Sequence, residues 1–194
     1  MIHNILNNDK LVLASESPRR KLLLESLGLK PLIVPANIAE PLSKERAHKQ
    51  AVRHARNKAI AVRSYVDGAA TIVAADTLVV LDELILGKPA SAEEAASYLR
   101  LLSGRIHNVY TGLCVIRHGE LRTAYERSKV RFKDLSEQEI ADYLKTGEPF
   151  DKAGAYGIQG YGAQFIRDIQ GCYFNVMGFP INLFYNILCG EVNE

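Results

Sequence analysis

Thr71-Ile72-Val73-Ala74-Ala75-Asp76-Thr77-Leu78-Val79-Val80-Leu81 is rich in Val and Ala and carries a single charge, Asp76. A nearly continuous apolar run of this kind predicts a strand buried on both faces. Asp82-Glu83 follows as a turn, and Leu84-Ile85-Leu86 then predicts a returning strand, so the pair reads as a hairpin.

Upstream, Leu11 to Ala14 reads as a short buried strand and Ser15 to Arg20 as the turn into a helix. Ser17 suits the N-cap and Pro18 the first helical position. Leu23 and Leu27 lie four apart on one face, and Gly28 stops the helix. Leu32 to Pro35 predicts a second strand, and Asn37 to Pro41 a loop carrying Glu40. From Ser43 to Tyr65, the spacing of Ala47, Ala51, Ala55 and Ala59 predicts a long amphipathic helix that also carries Lys58.

Downstream, Ser91 and Glu94 form a capping-box pattern for a helix reaching Leu102, with Gly104 as its stop. Val109 to Ile116 and Thr123 to Phe132 read as strands around a turn at His118-Gly119. Ser136 and Glu139 open another helix, which ends near Lys145, and a last helix begins at Pro180. Between them, glycines 147, 154, 157, 160 and 162 mark a shaped loop suited to close approach of a ligand to backbone. Strands and helices mix without a strict repeat, a duplication or a composition break, which predicts one α/β domain over residues 1–194 with a mixed sheet.

At 194 residues the chain is long enough to bury roughly 70% of its unfolded surface. Its 47% hydrophobic and 24% charged residues exclude a natively disordered chain. Twenty-four Lys and Arg against 22 Asp and Glu leave +2, too balanced to grip long nucleic acid, so an anion site must be local. Cys114, Cys172 and Cys189 fit neither a disulfide framework nor a zinc site, which predicts a reducing, cytoplasmic setting. Neither a signal peptide nor a membrane span is expected.

Three places attract chemical interest. The Ser15 to Arg20 turn puts Arg19 and Arg20 at a helix N-terminus, against the macrodipole, where a bound polyphosphate would compensate them; two solvated arginines on a capped helix is the alternative. Asp76 interrupts a buried strand, where a carboxylate serves either a structural polar pair or a hard cation and an activated water. Lys88, in Gly87-Lys88-Pro89, sits on a stiff loop either as a point charge for phosphate or as an ordinary surface lysine, and the glycine-rich segment either lets Gln159 read a base edge or is a tight structural loop. His3, His48, His54, His107 and His118 show no metal spacing and read as structural or solvated.

Taken in order, Ser15-Glu16-Ser17-Pro18-Arg19-Arg20, Ala75-Asp76-Thr77, Gly87-Lys88-Pro89, Ser103-Gly104-Arg105, Tyr110-Thr111-Gly112 and Asp151 to Gly160 resemble the motifs of the Maf family, as does the tail Gly171 to Pro180. The resemblance covers about residues 11 to 190. It implies the fold of the inosine triphosphate pyrophosphatases: an elongated mixed sheet flanked by helices, in two lobes with a central cleft. It also implies a nucleoside triphosphate pyrophosphatase that depends on a divalent cation, Mg²⁺ or Mn²⁺, and is commonly a homodimer.

By position, Asp76 matches the family's catalytic acid, Glu40 and Lys58 its supporting acid and lysine, and Ser15, Arg20 and Lys88 its phosphate-binding residues. Asp76 and Glu40 are then the implied metal ligands. Arg19, Thr77 and Gln159 resemble the branch that favours dTTP and UTP, whereas a second branch, favouring 7-methyl-GTP, tends to carry Trp, Gln and Glu there. The family also often has an acidic cluster around Glu40, which Asn37 and Ala39 replace in this chain. A non-catalytic nucleotide-binding regulator of septum formation, the phenotype behind the family's name, would keep the phosphate turn but need neither Asp76 nor a metal.

Overall fold

A computed structural model describes residues 1–7 and 9–192. A short helix, α1 (Ile2–Ile5), precedes β1 (Leu11–Leu13), which leads through the Ser15 to Ser17 turn into α2 (Pro18–Ser26). Ser17 is the N-cap by backbone position, extended and with no side-chain bond to the helix, and Gly28 takes φ +77 just beyond the last turn. Leu23 and Leu24 are the leucines α2 buries, while Leu27 stays half-exposed. After β2 (Leu32–Ile33), the long helix α3 spans Ala47–Arg63, beginning four residues later than its apolar spacing predicts. The cause is Gln50. Its amide accepts from the Ser43 N–H and donates to the Ser43 and Glu45 carbonyls, which holds this segment outside the helix.

The apolar run forms β3 (Thr71–Leu81), and β4 (Leu84–Leu86) returns antiparallel to it. Helix α4 (Ala92–Leu102) starts at Ser91, whose hydroxyl accepts from Glu94 N–H; the Glu94 carboxylate reaches Ala90 N–H instead, so the box is not reciprocal. Strands β5 (Ile106–Arg117) and β6 (Glu120–Phe132) are longer than predicted and meet at His118-Gly119. Both turn residues have positive φ, 50° and 83°, as a two-residue hairpin turn requires. Helix α5 (Glu137–Lys145) has the full capping box between Ser136 and Glu139. Three short 3₁₀ turns carry the glycine-rich segment into β7 (Ile166–Gln170), followed by α6 (Tyr173–Val176) and α7 (Ile181–Cys189).

The strands form a mixed seven-stranded sheet in the order β2-β1-β3-β5-β6-β7, with β4 beside β3. Pairings of β1 with β2 and with β3 are parallel, whereas β3 with β4 and β6 with β7 are antiparallel. The chain divides into two compact units: Met1–Asp76, Thr111–Glu126 and the segment from Gly178 make the first, and Thr77–Tyr110 with Arg127–Met177 the second.

Each unit has its own core. In the first, Val12, Ala14, Ile72 and Ala74 pack with Ala55, Ala59 and Val62 of α3 and with Cys114 and Ile116 of β5. Small residues bring this helix close, since a Cβ on Gly112 would lie 2.4 Å from the Ala51 carbonyl carbon. In the second, Val79, Leu99, Phe132, Tyr143, Tyr156 and Phe165 are central. Every large aliphatic side chain so buried contributes about 1.5–3 kcal/mol. No helix among the described residues is long and apolar enough to cross a membrane.

Candidate active site

In the first unit, parallel pairing with β3 delivers the chain into the Ser15 to Arg20 turn, Ala14 N–H donating to the Val73 carbonyl at 2.8 Å. Ser15 is buried, and its hydroxyl oxygen accepts from Ser17 N–H at 3.2 Å and from Arg20 Nη1 at 2.9 Å. Arg20 Nε donates to the Gly178 carbonyl at 2.8 Å. Arg20 is therefore built into the protein rather than solvated, and Arg19 beside it is half-buried. Burial lowers the Arg20 pKa to about 10, with Asp76 opposing that shift and Arg19 adding to it. It remains cationic at neutral pH, and the first turn of α2 contains no acid to offset the two arginines.

Asp76, 7% exposed, occupies the middle of β3. Lys58 Nζ donates to its Oδ1 at 2.8 Å and also pairs with Glu40 Oε1. The other oxygen, Oδ2, lies 3.0 Å from His54 Nδ1, and His54 Nε2 lies 3.2 Å from the Pro41 carbonyl. The carbonyl and the carboxylate both only accept, so each ring nitrogen faces an acceptor and the tautomer decides which of the two carries the proton. Burial by itself would raise the Asp76 pKa. The His54 hydrogen bond, the Lys58 charge and hydrogen bond, and the Arg20 charge outweigh it and hold the carboxyl below its ordinary range.

Thus Ser15, Arg20, Glu40, Lys58 and Asp76 share one unit, with direct bonds linking Ser15 to Arg20 and Lys58 to both acids. His54 is the residue that sequence reading missed. A signal existed: His54 and Lys58 are four apart on α3, between the buried alanines 51, 55 and 59.

Thr77, Lys88 and Gln159 belong to the second unit. Thr77 follows Asp76 along β3, where successive side chains alternate faces, and is half-buried. Lys88 is exposed on a loop fixed by buried Pro89 and by Gly154 N–H donating to the Gly87 carbonyl. Gln159 is exposed and leads into the turn Gly160–Phe165. Glu148 shapes that loop, its carboxylate accepting from Tyr161 N–H, Gly162 N–H and the Tyr143 hydroxyl at 2.8, 3.1 and 2.9 Å. A Cβ at Gly160 would strike Glu148, and one at Gly162 the Gly157 carbonyl. These glycines admit the protein's own groups.

No group of three or more His, Cys, Asp and Glu among the described residues could hold a metal ion. Asp76 and Glu40 share Lys58 as an ion-pair partner. Two carboxylates suit a hard cation of the Mg²⁺ type, which commonly takes one or two such ligands and completes its shell with phosphate oxygens and water. Two acids match that ligand number, and both are ion-paired to Lys58.

A buried acid bonded to a lysine and a histidine thus lies in one unit with a serine–arginine turn at a helix N-terminus, within an α/β protein. The chain belongs to the Maf-like protein family, whose model matches residues 10–191. It is 46% identical over 177 residues to a dTTP/UTP pyrophosphatase of Thermococcus onnurineus, covering 91% of this chain and 95% of that protein. Against dTTP/UTP pyrophosphatases of a Thermoanaerobacter species and a Geobacillus species, identity is 42% over 184 residues and 47% over 174. The matches cover 94% and 89% of this chain and 96% and 93% of those proteins.

Proposed function

We propose that this chain is a nucleoside triphosphate pyrophosphatase, taking dTTP and UTP with water to the nucleoside monophosphate and pyrophosphate. The observation that carries the reading is Asp76: a buried carboxylate, kept ionised by His54 and Lys58, in a family whose relatives bear that activity in their names.

In this reading Ser15, Arg19 and Arg20 bind triphosphate oxygens at the start of α2, with Lys88 as a further point charge. Asp76, with Glu40, would hold a divalent cation, Mg²⁺ or Mn²⁺, which supplies neutralisation of the phosphate oxygens and polarisation at phosphorus. A carboxyl held below its ordinary range is a weak proton acceptor, so Asp76 acts through its charge and by orienting water. Lys58 leaves its acid partners to meet charge developing on the phosphates. Thr77 and Gln159 read the pyrimidine. The family resemblance adds a homodimeric assembly to the proposal, open to analytical ultracentrifugation, and the three free cysteines add a cytoplasmic location.

The test is ³¹P NMR of products from dTTP, UTP and 7-methyl-GTP with Mg²⁺ or Mn²⁺. Monophosphate and pyrophosphate from dTTP and UTP are expected. Release of inorganic phosphate from dTTP would refute the bond assignment, and faster turnover of 7-methyl-GTP would refute the base assignment.

A further inference from the structure

His54 leaves α3 one turn before Lys58, and its side chain is 2% exposed. The two residues make parallel links. Lys58 joins Asp76 Oδ1 to the Glu40 carboxylate, while His54 joins Asp76 Oδ2 to the Pro41 carbonyl at 3.0 and 3.2 Å. Both oxygens of Asp76 are thereby engaged by side chains four residues apart on one helix, and both side chains also reach the 40–41 segment.

The links differ in what they can do during a reaction. Lys58 is a mobile ammonium on a four-carbon stem, able to exchange its carboxylate partners for phosphate. His54 is a rigid ring with each nitrogen engaged by the protein. An alanine, as at the neighbouring core positions 51, 55 and 59, would avoid burying a polar ring between two acceptors. We infer that His54 is a positioning residue for catalysis: it fixes the rotation of the Asp76 carboxylate and carries the Pro41 end of the Glu40 loop. Oδ1 then keeps its aim when Lys58 turns to substrate. This rests on Asp76 being the catalytic acid.

Two amide substitutions separate the bonds. Asn sets its amide nitrogen near the place of Nδ1 and can still donate to Asp76; Gln sets its own near Nε2 and can donate only to Pro41. For dTTP hydrolysis, His54→Gln should lower kcat about 10–100-fold with KM within about twofold, the scale found when the partner orienting a ligand is lost. His54→Asn should lie about tenfold above it at a matched melting temperature. Equal kcat values for the two variants, or losses that follow the folded fraction, would overturn the inference.

A second readout is independent of turnover. In protein carrying ¹⁵N-histidine, the His54 Nδ1 proton should resonate downfield and move upfield in Asp76→Asn. An unchanged resonance would also overturn the inference. Asp76→Asn assayed alongside separates the two levels: full activity there defeats the reading of Asp76 itself, whereas an inactive Asp76→Asn with a fully active His54→Gln defeats only the role given to His54.

Discussion

Lys58 sets its ammonium 2.8 Å from Asp76 Oδ1, in a pair whose side chains are only 14% and 10% exposed. Glu40, itself a third exposed, shares the same nitrogen. Removing one partner of such a pair strands the other's charge in a poorly solvated place. Lys58→Met should therefore cost about 3 kcal/mol in urea unfolding. Lys58→Met with Asp76→Asn should cost less than the sum of the single changes, because the stranded charge is gone. A strictly additive double variant would contradict the coupling.

His107 gives a pH dependence elsewhere in the chain. It is fully buried in β5, Nε2 lies 2.7 Å from the Tyr156 hydroxyl, and Nδ1 has no hydrogen-bond partner among the described residues. Burial lowers its pKa from 6.5 to about 4. Above pH 6.5 both folded and unfolded chains hold it neutral. As pH falls from 6.5 to about 4, only the unfolded chain takes the proton, so stability falls, by up to about 3 kcal/mol at 1.36 kcal/mol per pKa unit. Below that both states are protonated and this contribution is constant. Unfolding of His107→Gln across the same range should lose that slope; an unchanged slope would refute the assignment.

Gly112 tests the packing of α3. A Cβ there would meet the Ala51 carbonyl carbon at 2.4 Å and Val52 N at 2.5 Å, both backbone atoms that cannot swing aside. Gly112→Ala should push α3 from β5 and cost about 3 kcal/mol or more, at the upper end for overpacking. Because α3 carries His54 and Lys58, the activity of the folded fraction should fall as well. A variant matching the parent in melting temperature would show that the helix has more room than the structure allows.

Much of this was readable in the sequence where local chemistry decides. Thr71 to Leu81 is a strand over its full predicted length because an unbroken apolar run suits two covered faces. The Ser136–Glu139 box forms as written. The start of α3 was not legible, since it depends on the side chain of Gln50 reaching Ser43 and Glu45 rather than on propensity. The polar, half-exposed β7 has little apolar signal and is defined by its pairing with β6. At the site, Asp76 betrayed itself as a charge in an apolar run. His54 did not, because its meaning comes from the pairing of α3 with β3 in space, and only its four-residue spacing from Lys58 hinted at it.

The most direct measurement is steady-state pyrophosphate release from dTTP, with Mg²⁺ or Mn²⁺, by the parent chain and by Asp76→Asn. The Asn variant keeps the size of the side chain and removes the charge that His54, Lys58 and Arg20 converge on. If Asp76 organises the reaction, kcat should drop about 100-fold or more while the variant stays folded. Equal rates from the two proteins would contradict the account.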